Sequence, residues 1–254
     1  MKIIVMMKQV ANKDAILRIN KDATWIEEGD LSFEVSESDG YALEEALRVR
    51  EKLGGEVVVC SMGPQRVKSV IKDALARGAD RAIHVSGDHL ATADAFGVAD
   101  AIAAAIADEK PDLVLTGLQS DDQGFAQVGV VLAERLGAPH STIIMQVDVQ
   151  GADVRVKREL EGGWFQWVRM PLPAVLTIQS GINQLRYATL KGIMAAKKKE
   201  IRAVVAAPVA APRQTIVSIY VPSKAKATHL VSGTAEEAGR ELIRLLRDEA
   251  RVVS

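Results

Sequence analysis

The glycine-punctuated segment from Gly117 to Gly129 is the part of the sequence best suited to hold an anion. It follows a predicted strand and leads into a predicted helix, and Gly124 in its middle lets the backbone approach a ligand closely. Backbone N–H groups at a helix start attract anions because they are unpaired and lie at the positive end of the helix dipole. The segment has neither a Walker ending nor the spacing of a dinucleotide fingerprint. It predicts a nucleotide phosphate site, with a solvated connection between strand and helix as the alternative.

Two adjacent carboxylates, Asp121 and Asp122, stand inside this segment. Neighbours in sequence seldom converge on one substrate atom, so the pattern favours capping of the following helix by one of them. The pair could instead hold ribose hydroxyls or a metal, but the surrounding ligand set is thin for a metal site. No metal ligand is therefore predicted.

None of the histidines, and not the single cysteine, stands in a recognisable catalytic motif. His84, His89, His140 and His229 lie away from any serine elbow or cysteine nucleophile. Cys60 follows a run of valines and is typical of a buried strand residue. No catalytic residue is predicted, and a nucleotide-binding fold without one is typical of a carrier whose cofactor performs the chemistry.

The composition is that of a sizeable globular protein with little global charge. Of 254 residues, 48% are hydrophobic and 26% are charged, and the formal net charge is -1. Such a charge gives no general attraction to nucleic acid or anionic lipid, and an aromatic content of 4% is low for stacking bases. The apolar run at residues 2–7 is too short for a signal peptide or a membrane span and is interpreted as a strand. We therefore expect a cytoplasmic protein.

Short apolar runs alternate with amphipathic stretches over the first two thirds of the chain, which predicts an α/β fold with a Rossmann-like parallel sheet. Ligands bind beyond the carboxyl ends of such strands, and this selects the segments after Met7, Met62 and Thr116. The predicted strands cover residues 3–7, 56–62, 82–85 and 112–116. The predicted helices cover residues 39–52, 65–77, 91–107 and 126–136, and Ser38 is the predicted N-cap of the first.

The rhythm changes after Gly137. An antiparallel excursion followed by one last strand is predicted at residues 141–149, 154–160, 164–169 and 174–178.

Near the end of the chain, an Ala-, Val- and Pro-rich segment at residues 204–212 predicts an extended arm. A closing helix at residues 236–249 has Thr234 and Glu237 in position for a capping box. Arm and helix either pack on a partner subunit or fold back on their own domain.

The segment at residues 156–177 resembles the signature of electron transfer flavoprotein β subunits. The basic Arg158, the acid and two glycines that begin at Glu161, the glutamine at 166 and the Pro-x-Val-Leu-Thr ending from Pro173 stand at that family's spacing. Shorter matching strings lie at residues 41–46, 62–64, 74–81 and 186–199. The resemblance therefore covers residues 1 to about 200.

The resemblance implies a nucleotide-binding α/β domain of the adenine-nucleotide-binding type in residues 1–182 and a partner-recognition loop at 183–200. It implies that residues 201–254 form an arm and a C-terminal helix that pack on the partner subunit. That partner is the α subunit of a heterodimer, which shares one FAD with this chain, while AMP is bound structurally in the β subunit.

Electrons would pass from acyl-CoA dehydrogenases or similar flavoenzymes through FAD to a membrane quinone reductase. The chain would then be an electron carrier rather than a catalyst with its own substrate, with no direct membrane insertion. The alternative is a subunit of an electron-bifurcating flavoprotein, an oxidoreductase that holds a second FAD in place of AMP.

The resemblance also implies which residues contact the nucleotide. They include the segments that follow the carboxyl ends of the predicted parallel strands. The implied cofactor-binding residues are Met6, Ser36, Ser38, Asp39, Met62, Gly117, Gln119, Ser120, Asp121, Asp122, Gly124, Phe125, Ala126, Gln127 and Val128. The implied partner-binding residues are Tyr187, Leu190, Ile193 and Met194, with Leu190 as the anchor that inserts into a dehydrogenase.

The sequence departs from the family pattern at two places. Phe125 begins a stretch in which Gln127 and Gly129 are retained but the usual Asn or Thr donors are missing, so phosphate contacts are expected to rely on backbone N–H groups. Lys13 stands where the non-bifurcating, mammalian-type members have an aromatic residue near the FAD, and it is given no role.

Overall fold

A computed structural model describes residues 1–223 and 228–253 of the chain. The strands are β1 (Lys2–Met6), β2 (Gln9–Ala11), β3 (Phe33–Val35), β4 (Glu56–Met62), β5 (Arg81–Ser86), β6 (Leu113–Gly117), β7 (His140–Gln150), β8 (Asp153–Glu159), β9 (Phe165–Pro171), β10 (Ala174–Ile178) and β11 (Ile201–Val205). The helices are α1 (Glu37–Leu53), α2 (Lys68–Arg77), α3 (Ala95–Ile106), α4 (Val128–Leu136), α5 (Leu190–Ala196) and α6 (Ala235–Arg244).

Nine strands form one sheet in the order β11-β5-β4-β1-β6-β10-β7-β8-β9, and the first seven of that order run parallel. The remaining strands, β2 and β3, pair with each other in a small antiparallel sheet. The predicted α/β class with a Rossmann-like parallel sheet is confirmed.

The core lies on both faces of the large sheet because β1 alternates between them. Ile3 packs in one buried cluster with Leu43 of α1 and Ile71 of α2, whereas Ile4 packs in the other with Ile102 of α3 and Leu132 of α4. A strand that is apolar on both faces suits a central parallel position. Its neighbours are β4 and β6, so the carboxyl ends of these three strands lie side by side.

The predicted antiparallel excursion and its return strand are confirmed. β8 pairs antiparallel with β7 and with β9, and β10 then returns between β6 and β7. Val154 and Val156 are buried, while the alternating Arg155 places its guanidinium 4.1 Å from the centre of the Trp167 ring. This alternation is the period of two that one covered face of a sheet requires.

Four predicted helix starts are shifted in the structure: α2 and α4 begin at Lys68 and Val128 rather than at residues 65 and 126, and the other two shifts change the cap residue. α1 begins at Glu37 with Ser36 at the N-cap position, so Ser38 lies inside the first turn and is not the cap. α3 begins only at Ala95, because residues 88–92 form a separate 3-10 turn. Its N-cap is Asp94, whose side chain accepts a hydrogen bond from the Gly97 N–H at 2.9 Å.

The segment expected to begin the arm extends the sheet instead. β11 pairs in parallel with β5, and α5 ahead of it packs on α2. β11 covers residues 201–205 and is an edge strand with no fully buried side chain, which explains why its apolar pattern was too weak to predict a strand.

Beyond β11 the chain is fastened to the start of α3. The second carboxylate oxygen of Asp94 accepts the backbone N–H of Arg213 at 2.7 Å, and the Arg213 guanidinium lies 4.4 Å from the centre of the Phe96 ring. Gly97 lets the chain come close, because a Cβ there would lie 3.2 Å from Cγ2 of Val209. We call this set of contacts the Asp94 clasp.

The chain divides into two compact units, Met1–Ser218 and Ile219–Ser254. The second contains α6, and both reciprocal hydrogen bonds of the predicted capping box between Thr234 and Glu237 are present. The predicted arm and helix at 201–254 include residues 224–227 and 254, which lie outside the described residues. Among those described, no helix has the length and apolarity needed to cross a membrane.

Candidate functional site

Segments that follow the strands gather at the carboxyl end of the sheet. We call this region the rim and define it as Met6–Lys8, Ser36–Asp39, Met62 and residues 117–128. Three of its four segments are joined directly by hydrogen bonds, among them one from the Ser38 hydroxyl to the Gln119 carbonyl at 2.7 Å. Met62 ends β4, the strand next to β1. Residues that lie far apart in sequence and were predicted to hold a nucleotide are therefore neighbours in the fold.

Asp39 ties the rim together from inside α1. One of its oxygens accepts the Lys8 backbone N–H and the other accepts the Gly117 backbone N–H, both at 2.7 Å. Burial raises the pKa of this carboxyl to about 7, against the lowering effect of the two backbone donors. Asp39 thus links the ends of β1 and β6 and titrates close to neutral pH.

Asp121 does not cap the helix that follows it, so that prediction is wrong. Its carboxylate accepts the Glu37 backbone N–H at 2.7 Å, and its own N–H donates to the Ser36 hydroxyl at 3.2 Å. The acid therefore caps α1, a helix 84 residues earlier in the chain. The Asp121 carboxylate therefore interacts favourably with the positive end of the α1 dipole.

α4, in contrast, starts without a side-chain cap within residues 1–223 and 228–253. Gln127 occupies its N-cap position, and Phe125 just ahead of it is exposed. Gly129 lets the first turn pack closely, since a Cβ there would lie 2.6 Å from Cγ2 of Thr177. Unpaired N–H groups at the positive end of a helix dipole are the part of the rim best suited to a phosphate.

Gly117 is required for the rim to close. A Cβ at this position would overlap the Ser38 hydroxyl and would lie 2.6 Å from an oxygen of Asp39. Any side chain there would push α1 away from the end of β6. The role of Gly117 is therefore close packing, and it leaves its N–H free to bond to Asp39.

Lys8 belongs to the rim although its sequence context did not single it out. Its ammonium lies 2.7 Å from Asp122, 3.0 Å from the Gln123 side-chain oxygen and 3.3 Å from the Ser120 hydroxyl. The only sequence signal is a lysine directly after an apolar strand that ends at a predicted ligand site.

A metal-binding cluster, a histidine or a cysteine could also supply chemistry. No group of histidine, cysteine, aspartate and glutamate side chains in residues 1–223 and 228–253 is arranged to hold a metal ion. His84 is buried and bonds the Gly63 carbonyl at 2.9 Å, which is a structural contact. Burial raises the pKa of the Cys60 thiol to about 12, so this group stays protonated.

The residues predicted to bind a partner form a second feature, which we call the apolar patch: Tyr187, Leu190, Ile193 and Met194. Tyr187 is 89% exposed and Leu190 is 78% exposed. Leu190 opens α5, which the Thr189 side chain caps through the Gly192 N–H. Arg186 holds the preceding turn by pairing with Glu44. Large apolar side chains on a short, fixed helix are typical of a protein-binding surface.

Comparison with known proteins matches the chain along nearly all its length. A family model described as "Electron transfer flavoprotein domain" matches residues 24–209. The chain is 36% identical to the electron transfer flavoprotein subunit beta of Methylophilus methylotrophus, over 98% of each sequence. It is 34% identical to the protein of that name from Sus scrofa, over 99% of each, and 30% identical to that of Bacillus subtilis, over 100% of each.

Proposed function

Since the chain belongs to the electron transfer flavoprotein β-subunit family, we propose that it is one half of a heterodimeric electron carrier. The other half is an α subunit, and the two share one FAD, bound mostly by α. The flavin accepts and releases the electrons, so this chain needs no catalytic side chain of its own. Its tasks are to hold a nucleotide, to hold its partner and to dock electron donors.

The nucleotide that we assign to the rim is AMP, in a structural role. The start of α4 carries this proposal, because its first turn has no side-chain cap among the described residues and its backbone N–H groups lie at the positive end of the helix dipole. The Asp121 carboxylate already accepts a backbone N–H at the start of α1, so a phosphate is expected to bind at the start of α4 instead. The residues that would surround the nucleotide are the fifteen named above, from Met6 to Val128, and they supply mostly backbone groups.

A second FAD in place of AMP is the alternative, and it would make the pair an electron-bifurcating oxidoreductase. The observation that favours keeping it is the stretch from Phe125 to Gly129, which lacks the side-chain donors common in the family. The two nucleotides share the adenosine monophosphate moiety, so the rim suits both.

A cofactor count on the purified heterodimer tests these proposals. We expect one flavin per pair by absorbance, and one AMP released on denaturation and identified by chromatography. Two flavins per pair, together with oxidation of NADH, would replace the carrier by the bifurcating alternative. A pair that contains flavin but no nucleotide at the rim would contradict our assignment of this site.

The apolar patch is proposed as the docking surface for the electron donor, an acyl-CoA dehydrogenase or a similar flavoenzyme, with Leu190 as anchor. An exposed leucine on a fixed turn can fill a small pocket in a partner and contribute much of the binding free energy. A membrane quinone reductase is the proposed acceptor. We place the pair in the cytoplasm.

Replacing Leu190 by alanine tests the docking proposal. We expect the rate of electron transfer from an acyl-CoA dehydrogenase to fall by roughly tenfold or more at low carrier concentration, because one hot-spot contact is lost. Leu53→Ala, at another exposed leucine at the end of α1 (45% exposed, against 78% for Leu190), is the control and should leave the rate unchanged. Equal rates for wild type and Leu190→Ala would rule out this role.

A further inference from the structure

The Lys8 ammonium uses all of its hydrogen-bonding capacity on one stretch of the rim. A lysine ammonium has three donors, and here three acceptors meet it: the Ser120 hydroxyl, a carboxylate oxygen of Asp122 and the side-chain oxygen of Gln123. These residues lie 112 to 115 positions later in the chain. The contacts therefore join the end of β1 to the loop ahead of α4.

An ordinary surface ion pair would contribute little, because two mobile side chains must be ordered and water competes for both. Lys8 differs because its backbone is already fixed by the buried Asp39, which accepts its N–H at 2.7 Å. The Asp122 side chain is also only 20% exposed, although its backbone lies at the surface and the Lys8 side chain is 39% exposed. The backbone from which the Lys8 side chain extends is therefore fixed before the ammonium meets the loop, and less entropy is lost when the contacts form.

Asp122 passes this constraint to the loop backbone. The same carboxylate oxygen that receives the Lys8 ammonium also accepts the Gln123 backbone N–H at 2.7 Å. The next turn closes through the Gly124 N–H, which donates to the Ser120 carbonyl at 2.9 Å. The loop then enters α4, whose first turn is the proposed phosphate site.

We propose that Lys8 is a positioning residue that holds the loop at residues 120–123 in the form that presents the start of α4 to a nucleotide phosphate. It acts through Asp122 and does not itself contact the phosphate, because reaching an anion would break contacts that already use its three donors. This inference rests on the proposed nucleotide function of the rim.

A double-mutant cycle on the purified heterodimer separates the two ways in which Lys8 could act. The variants are Lys8→Met, which keeps the stem and removes the charge, Asp122→Asn, and the two together, each assayed for AMP affinity by calorimetry. We expect the AMP affinity of Lys8→Met to be about tenfold lower than that of wild type, which is the effect of losing one charge-assisted hydrogen bond. The AMP affinity of the double variant should be no lower than that of Lys8→Met. Losses that multiply in the double variant, or an undiminished affinity of Lys8→Met, would overturn the proposal.

Amide hydrogen exchange on the nucleotide-free heterodimer gives a readout that does not depend on AMP. Exchange at residues 120–124 should be faster in Lys8→Met than in wild type, and unchanged in Lys52→Met, which removes a looser pair with Asp148 at 3.6 Å. Unchanged exchange in Lys8→Met would overturn the positioning role. If wild type bound no AMP, the proposed nucleotide function would fail, while this exchange experiment would still decide whether Lys8 holds the loop.

Discussion

A buried carboxylate lies at each end of the nine-stranded sheet, and the two carboxylates have different kinds of hydrogen-bond donor. At the amino end, Glu109 is 9% exposed and is surrounded by cations. At the carboxyl end, Asp39 is 8% exposed and is bonded to backbone N–H groups. The pKa values of the two groups are shifted in opposite directions, because burial is the largest influence on Asp39 and the hydrogen bond from the Arg81 guanidinium is the largest influence on Glu109.

Glu109 joins strands that are not all neighbours. Lys2 of β1 and Arg202 of β11 each donate to it at 3.1 Å, and Arg81 of β5 donates to both of its oxygens. These partners lower the pKa of Glu109 to about 2, with Arg81 making the largest contribution. The negative charge of Glu109 at the amino end of the sheet is thus balanced by side chains of the same chain.

At the rim, two carboxylates accept hydrogen bonds from backbone N–H groups instead of pairing with cations. Asp39 and Asp121 hold loop and strand ends through N–H groups, and the burial that raises the pKa of Asp39 is not offset by a direct side-chain cation. The contrast shows that a network of charged side chains joins the strands at the amino end, whereas carboxylates at the carboxyl end hold loop and strand ends through backbone N–H groups.

The largest expected effect of one substitution measured at a single pH is on the amino end. Glu109→Gln should lower the free energy of unfolding by about 3 kcal/mol, because several cations lose their shared partner. Urea unfolding at neutral pH measures this loss. The folded pKa of Glu109 lies below its ordinary value of 4.5, so its contribution is complete above pH 4.5 and is lost as pH falls toward about 2. The acid-induced loss of stability should be smaller in Glu109→Gln than in wild type, since other carboxyls with a lowered pKa, such as Glu44 and Asp94, remain in both.

Glu56→Gln is the matched control for this prediction. Glu56 also pairs with Arg81, but its side chain is 35% exposed, so the loss should be under about 1 kcal/mol. Equal losses for the two variants would mean that burial does not distinguish them.

The next effect concerns the pH dependence that Asp39 imposes at the rim. Its folded pKa of about 7 lies above its ordinary value of 3.8, so the folded state favours the protonated form. Its contribution to stability is therefore complete below pH 3.8 and is lost as pH rises through about 7. The facing charges act in opposite directions, since Asp121 raises this pKa and Lys8 lowers it.

Asp39→Asn removes this titration. Between pH 4 and 7 the difference in unfolding free energy between wild type and variant should change by up to about 1.4 kcal/mol per pH unit, in the direction that penalises wild type at higher pH. Unfolding curves measured across this range give the difference directly. A constant difference would show that Asp39 does not titrate there and would remove the contrast with Glu109.

The smallest expected effect is at Ser38. Ser38→Ala deletes the hydrogen bond from its hydroxyl to the Gln119 carbonyl and should cost about 1 kcal/mol of unfolding free energy. Ser180→Ala, on an exposed turn, serves as control and should cost nothing measurable. A neutral result at Ser38 would imply that the rim loop is held by its charged contacts alone.

The sequence predicts the parallel sheet well because its strands are short apolar runs, a signal that each segment carries within itself. Val57 to Val59 and Leu113 to Leu115 are buried as such runs require. The roles of Asp121 and Lys8 could not be read in this way. Their partners lie 84 and 114 residues away, so only the packed fold decides which helix an acid caps or which loop an ammonium meets.

Edges of the structure were the hardest to predict for a different reason. β11 is only partly covered, so its residues lack the continuous apolar pattern that marks the central strands. The start of α3 was placed too early because an alanine-rich stretch has helical propensity throughout, and the true boundary is set by the side chain of Asp94.

The Asp94 clasp decides where the protein can be cut. A chain that ends after Val205 keeps every strand, yet it strips one oxygen of Asp94 of its N–H partners and uncovers Gly97 and the Phe96 ring. A chain that ends after Ser218 keeps all of these contacts and coincides with the boundary of the first compact unit. A minimal fragment for crystallisation or for domain exchange should therefore extend thirteen residues past the last strand, from 205 to 218.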